Sequence, residues 1–260
     1  MSHISFSELK NWNQCPFYHK LTYIDKLKAF EGNEYTAFGT AIHEACENTA
    51  TRTDDVEPSD FFLQAFEKEI KKLSNIELRK DLIEEMRTQG AQLAPLAIPA
   101  LKDHFGDFTF VSIEEKLYET VSECSDIDIK FKGFVDLVIK TSDGKYHIID
   151  WKTCSWGWDS KKKNDKMITY QLTLYKHFWS QKNMIDPEKI ETHFALLKRT
   201  AKKDKVELFR VTSGPQKTQN AIKLLTKAIY NIHNSNYIKN RLACRTPWGY
   251  CEFYKSDDCS

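Results

Sequence analysis

Residues 127–154 read IDIKFKGFVDLVIKTSDGKYHIIDWKTC, two runs of β-branched, aliphatic and aromatic residues separated by Ser142, Asp143 and Gly144. Such runs broken by turn-forming residues have the pattern of a strand, a turn and a second strand. Each run carries a carboxylate where burial is otherwise demanded: Asp136 stands between Val135 and Leu137, and Asp150 follows Ile148 and Ile149. Side chains alternate along a strand, so Asp150 and Lys152 point the same way. Adjacent antiparallel strands can bring Asp136 and Asp150 to one end of a sheet, where two carboxylates repel unless a divalent cation lies between them. Mg2+ suits that place, because it takes oxygen ligands, and the Trp151 backbone carbonyl is a further candidate ligand. Lys152 beside it would orient or activate an attacking water and stabilise charge building on a phosphate. The same spacing also fits an ordinary cross-strand ion pair between Asp136 and Lys152, and a D-x-K element alone does not separate the two.

Working outward, FVSIEEKLYETV at 110–121 adds a strand before this pair, giving a three-stranded meander. Upstream, Ser5 with Glu8 three residues later resembles a capping box and starts a helix, and residues 36–50 and 59–105 carry helical spacing, broken near Pro95 and Pro99. Downstream come a helix at about 165–182, two strands (IETHFALLKR and KVELFRVT) and a helix at about 215–235. With no linker and no repeat, the order predicts one α/β domain over 1–260: a mostly helical part (1–105), a core with a central mixed sheet flanked by helices (106–236) and a cysteine-containing tail (237–260).

Lys plus Arg (38) and Asp plus Glu (37) nearly cancel, so nucleic-acid binding would have to come from charge segregated to one surface. Lys161, Lys162, Lys163 and Lys166 form such a cluster just after the D-x-K strand, with Trp156 and Trp158 upstream; cations that follow phosphates and aromatic faces that stack bases suit a single-strand channel. A second cluster, Lys198, Arg199, Lys202, Lys203 and Lys205, sits between the late strands; DNA contact is favoured for the first cluster over the second, and the alternative for either is a solvated loop. No stretch approaches the roughly 18 apolar residues of a membrane span, and MSHISFSELKNW lacks a secretion signal, so a soluble protein of the cytoplasm or another intracellular compartment is expected. No G-x-x-x-x-G-K-[ST] phosphate loop occurs, so any unwinding would come from a partner.

Four segments in order, GTAIHEACE (39–47), GFVDLV (133–138), IIDWKT (148–153) and YQLTLY (170–175), together with the opening SFSELKNWNQCPFYHKLTYI, resemble the RecB-like branch of the PD-(D/E)XK nuclease superfamily, which includes the AddB nuclease domain and the CRISPR adaptation nuclease. The resemblance spans nearly the whole chain and implies a restriction-endonuclease-like core. It implies a metal-dependent DNA exonuclease acting on single strands or DNA ends in recombination, repair or replication, with a helicase or recombination protein as partner. The alternatives are a flap or junction endonuclease and a non-catalytic DNA-binding protein of the same fold. Carried over by position, the resemblance makes Asp136 and Asp150 metal ligands, Lys152 the catalytic lysine and His43 an additional ligand, which favours Mn2+ beside Mg2+. Taken alone, His43 on an apolar helix face reads as a hydrogen-bonded core histidine. By the same resemblance Gln171 and Tyr175, at i and i+4 on one helical face, would reach the site and position the scissile phosphate or the water; taken alone they read as a solvated Gln and a half-buried core Tyr. Glu47, one turn after His43, reads either as support for the imidazole or as surface charge. Some members hold a [4Fe-4S] cluster through one early and three late cysteines, and Cys15, Cys244, Cys251 and Cys259 are the candidates here; their C-x6-C-x7-C spacing is wider than the usual pattern, and zinc or free thiols are the alternatives.

Overall fold

The computed structural model describes residues 2–27, 31–51, 56–246 and 249–259. In chain order the elements are β1 (His3–Ser5), α1 (Phe6–Gln14), α2 (Pro16–His19) running into a π-helical turn (Lys20–Ile24), α3 (Glu34–Thr51), α4 (Pro58–Lys72), α5 (Lys80–Leu93), α6 (Ala97–Phe105), β2 (Phe108–Thr120), β3 (Lys130–Thr141), β4 (Tyr146–Cys154), α7 (Ser160–Lys163), α8 (Lys166–Asn183), β5 (Ile190–Lys198), β6 (Val206–Val211), α9 (Pro215–His233) and a two-residue ladder of β7 (Arg245–Thr246) with β8 (Gly249–Tyr250). Two compact units are formed, one of 32–116 and 134–214, the other of 1–31, 117–133 and 215–260. Among the described residues no helix is long and apolar enough to cross a membrane.

In the larger unit β3 and β4 are antiparallel with Leu137 opposite Ile149, β4 and β5 are parallel, and β5 and β6 are antiparallel. The sheet is therefore mixed, and α8 supplies the crossover that a parallel β4–β5 step requires. β2 pairs with β3, completing the expected meander. Leu137, Ile139, Ile149, Trp151, Ala195 and Leu197 turn one face of the sheet into a core shared with α3 to α6. Phe38, Phe62 and Phe66 form the centre of its helical side, with ring centroids 5.3–6.0 Å apart. Gly90 of α5 is required there: a Cβ would lie 2.0 Å from the Phe62 ring. Pro95 falls in a 3-10 turn (Ala94–Leu96) and Pro99 in the first turn of α6, so the prolines mark the break between α5 and α6, whereas the break between α4 and α5 falls at residues 73–79. The opposite face of the sheet receives α8, with Trp179 packed 5.5 Å from the Tyr146 ring. A mixed sheet flanked by helices is the architecture expected from the sequence.

In the smaller unit the capping box is formed: the Ser5 hydroxyl accepts from the Glu8 amide at 3.2 Å, and the Ser5 amide donates to the Glu8 carboxylate at 2.6 Å. β1 pairs in parallel with Lys130–Lys132 at the start of β3. Three residues are too few for a period to announce them, so this strand has no sequence signature.

Candidate active site

The register of β3 and β4, continued by one residue from Leu137 opposite Ile149, puts Asp136 opposite Asp150. Both carboxylates are buried. Asp136 Oδ2 accepts a hydrogen bond from the Trp151 amide at 2.8 Å. Lys152 forms an ion pair with Asp150, two residues before it on the same face, rather than with Asp136. His43, from α3, brings Nδ1 to 3.5 Å from Asp136 Oδ2, and its ring makes a backbone hydrogen bond with Trp151. From α8, Gln171 donates to the Tyr175 hydroxyl at 3.2 Å, and Tyr175 feels the Asp150 and Asp136 charges. Every residue expected around the metal is thus brought to one end of the sheet in the larger unit.

Burial pushes Asp136 and Asp150 up to about 6, against the pull of Lys152. Lys152 moves the other way: burial alone would lower it, but Asp150 and Asp136 carry it above its ordinary value, so it stays protonated. His43 is lowered to about 4, by burial and then by Lys152, and presents a neutral imidazole. Two buried carboxylates, a neutral imidazole and a backbone carbonyl form a donor set short of positive charge, which suits a divalent cation.

One acidic residue escaped the sequence reading. Glu114 of β2 lines an open cavity of about 450 Å3 with Gly39, Thr40, His43, Glu44, Glu47 and Asp136. Its backbone lies at φ 47°, a conformation that costs a non-glycine residue free energy and that concentrates at functional sites. The neighbouring Glu115 has an internal role, accepting from Trp179 Nε1 at 2.7 Å and pairing with Lys182. The only advance signal was a Glu-Glu pair inside a strand pattern. Glu47 is not plain surface charge: burial, then Glu114, Asp136 and Glu44, push it up to about 8, and it shares a hydrogen bond with Glu114.

The basic segment divides. Trp156 is 74% exposed, whereas Trp158 packs on Phe194 and Phe209 at 5.3 and 6.0 Å and sits under Lys162, so it is not a free stacking platform. Lys161, Lys162 and Lys166 are exposed, while Lys163 is engaged in an ion pair with Glu207. The expected loop is partly the short helix α7, capped by Asp159. In the second cluster Lys198 and Arg199 are buried, on Glu207 and Gln89 respectively, which removes both from a nucleic-acid surface.

In the smaller unit Cys15, Cys244, Cys251 and Cys259 all line one cavity of about 350 Å3. Burial, then Glu252 and the neighbouring Cys244 and Cys259, raise Cys251 above its ordinary value.

The family model of the PD-(D/E)XK nuclease superfamily matches residues 3–256. This chain belongs to the PD-(D/E)XK nuclease superfamily. Its fold is similar to that of a putative exonuclease from Eubacterium rectale, at TM-score 0.60 and 14% identity over 99% of this chain and 87% of that one. SSO0001 aligns at TM-score 0.43 and 13% identity, over 97% of this chain and 84% of that one. No curated protein matches the chain. By its superfamily the chain is a hydrolase of the nuclease class, and the superfamily's divalent-metal chemistry agrees with the donor set described above.

Proposed function

We propose that the chain is a metal-dependent DNA exonuclease of the RecB-like branch, acting on single strands or strand ends in recombination, repair or replication, with residues 1–260 working as one catalytic module. The observation that carries this reading is the convergence of His43, Asp136, Asp150 and Lys152 at one end of the sheet. A Mg2+ or Mn2+ ion held by His43, Asp136, Asp150 and the Trp151 carbonyl would supply positive charge to the scissile phosphate. Water attacks phosphorus in line and releases its proton to solvent, the bond to the leaving oxygen breaks, and solvent protonates that oxygen. Lys152 is held protonated, so its part is to orient the water and stabilise the negative charge of the transition state, not to remove a proton. Gln171 and Tyr175 act as one hydrogen-bonded pair that positions the phosphate.

The exposed Trp156 ring and Lys161, Lys162 and Lys166 support a single-stranded substrate, since stacking and phosphate contacts need no base pairing. The four-thiol cavity supports a [4Fe-4S] cluster joining the helical start of the chain to its tail. A chain without a phosphate loop depends on a helicase or recombination protein for unwinding. The test is cleavage of end-labelled linear and of circular single-stranded DNA with Mg2+ or Mn2+. Stepwise loss of the linear substrate alone supports an exonuclease. Cutting of the circle identifies an endonuclease, and metal-independent binding without turnover identifies a DNA-binding protein.

A further inference from the structure

Nothing in the proposed hydrolysis uses the two buried histidines His147 and His193. In the parallel β4–β5 pair His147 stands beside Glu191 and Ile149 beside His193, so alternation puts all three side chains on one face, opposite to that of Asp150. His147 lies three positions before Asp150 along β4, about 10 Å of strand. His147 Nδ1 lies 3.1 Å from His193 Nε2, and Glu191 Oε2 lies 3.9 and 3.8 Å from those two nitrogens. The edges of this triangle, 3.1 to 3.9 Å, bracket the roughly 3.3 Å that separates ligand atoms around a tetrahedral ion with bonds of about 2.0–2.1 Å.

The surroundings hold His147 and Glu191 in a ligating pose. His147 Nε2 is 3.1 Å from the Thr141 hydroxyl, which leaves Nδ1 for a ligand, the outer hydrogen bond that metal-binding histidines ordinarily make. Glu191 Oε1 is taken by Lys145 and Arg210, each at 3.2 Å, and Oε2 is left toward the histidines. The His193 ring is set perpendicular to Phe105 at 5.0 Å, and its buried Nδ1 has no hydrogen-bond partner among the described residues. We propose that His147, Glu191 and His193 form a second metal site, distinct from the carboxylate site, which takes a borderline transition-metal ion such as zinc and ties β4 to β5. Two imidazoles and a single carboxylate oxygen disfavour Mg2+, which takes oxygen ligands. The fourth position is open to water.

The test compares the wild-type chain with Glu191→Gln and His147→Asn, each stripped with chelator and dialysed against buffered Zn2+ in excess Mg2+. Zinc content and melting temperature are both read. Glu191→Gln keeps its volume at a partly exposed position, so it reports even where the histidine variant fails to fold. The expected result is one more zinc per chain in the wild type than in either variant, and a zinc-induced rise in melting temperature that shrinks in Glu191→Gln. Equal zinc content and equal shifts in wild type and Glu191→Gln would overturn the proposal and leave a hydrogen-bonded histidine pair. Neither outcome depends on whether the carboxylate site cleaves DNA.

Discussion

The Asp136 carboxylate accepts the Trp151 amide at 2.8 Å, so the acid of one strand is fastened to the backbone between the acid and the lysine of the next. Trp151 itself is buried in the core on the other face of the sheet. A chain of contacts therefore runs from the Phe38–Phe62–Phe66 core through the indole to the peptide that carries Asp150 and Lys152. Geometry of this kind fixes a donor set before any ion arrives.

The arrangement costs stability. Burial raises Asp136, so its ionised form is less favourable in the folded chain than in water. Asp136→Asn can still accept from the Trp151 amide while removing the charge. Cleavage should be abolished and the melting temperature in EDTA at pH 8 should rise by a few degrees; a clear fall would show that the charge is satisfied without metal.

The pH dependence follows with a definite sign. Asp136 and Asp150 ionise near 3.8 when unfolded but are held up to about 6, and Glu47 moves from 4.5 to about 8. Between those values the native chain binds more protons than the unfolded one, so these groups contribute most below pH 4, and the metal-free protein loses stability as pH rises toward 8. A divalent cation needs the ionised forms and competes with the protons. The Mn2+-induced rise in melting temperature should accordingly be larger at pH 8 than at pH 5.5; equal rises at both would contradict the assignment.

Trp156 and Trp158 should separate cleanly. Trp156→Ala removes an exposed ring and should weaken single-strand binding by about tenfold, in line with stacking worth about 1–3 kcal/mol, with an unchanged melting temperature. Trp158→Ala opens a cavity against Phe194 and Phe209 and should cost about 3 kcal/mol of stability. Filter binding and thermal melts of the two variants read both effects.

The four thiols make a prediction of their own. Chain purified without oxygen should carry about four irons and acid-labile sulfide, with charge-transfer absorption that Cys15→Ser or Cys251→Ser removes. A colourless, iron-free chain that melts at the same temperature as both variants would favour free thiols.

Much of this was legible because strand and helix periods expose themselves when one face is buried: Asp136 and Asp150 stood out as charges inside apolar runs, and Ser5 with Glu8 as a cap. Other features left no local trace. Glu114 lines the site from a backbone at positive φ, which departs from the regular alternation a strand reading assumes. Trp158 and Lys163 looked like surface because tertiary partners in β5 and β6 are invisible from their own segment. The approach of His147 to Glu191 and His193 depends on the β4–β5 register, which pairs residues more than forty apart.

The most direct test of the central claim is cleavage of end-labelled single-stranded DNA by wild type and Lys152→Ala, each with Mn2+ and with EDTA. Wild type should cleave only with metal, and Lys152→Ala, folded by circular dichroism, should be slower by about 10²–10³. Equal rates in the two proteins, or cleavage undiminished by EDTA, would contradict the account.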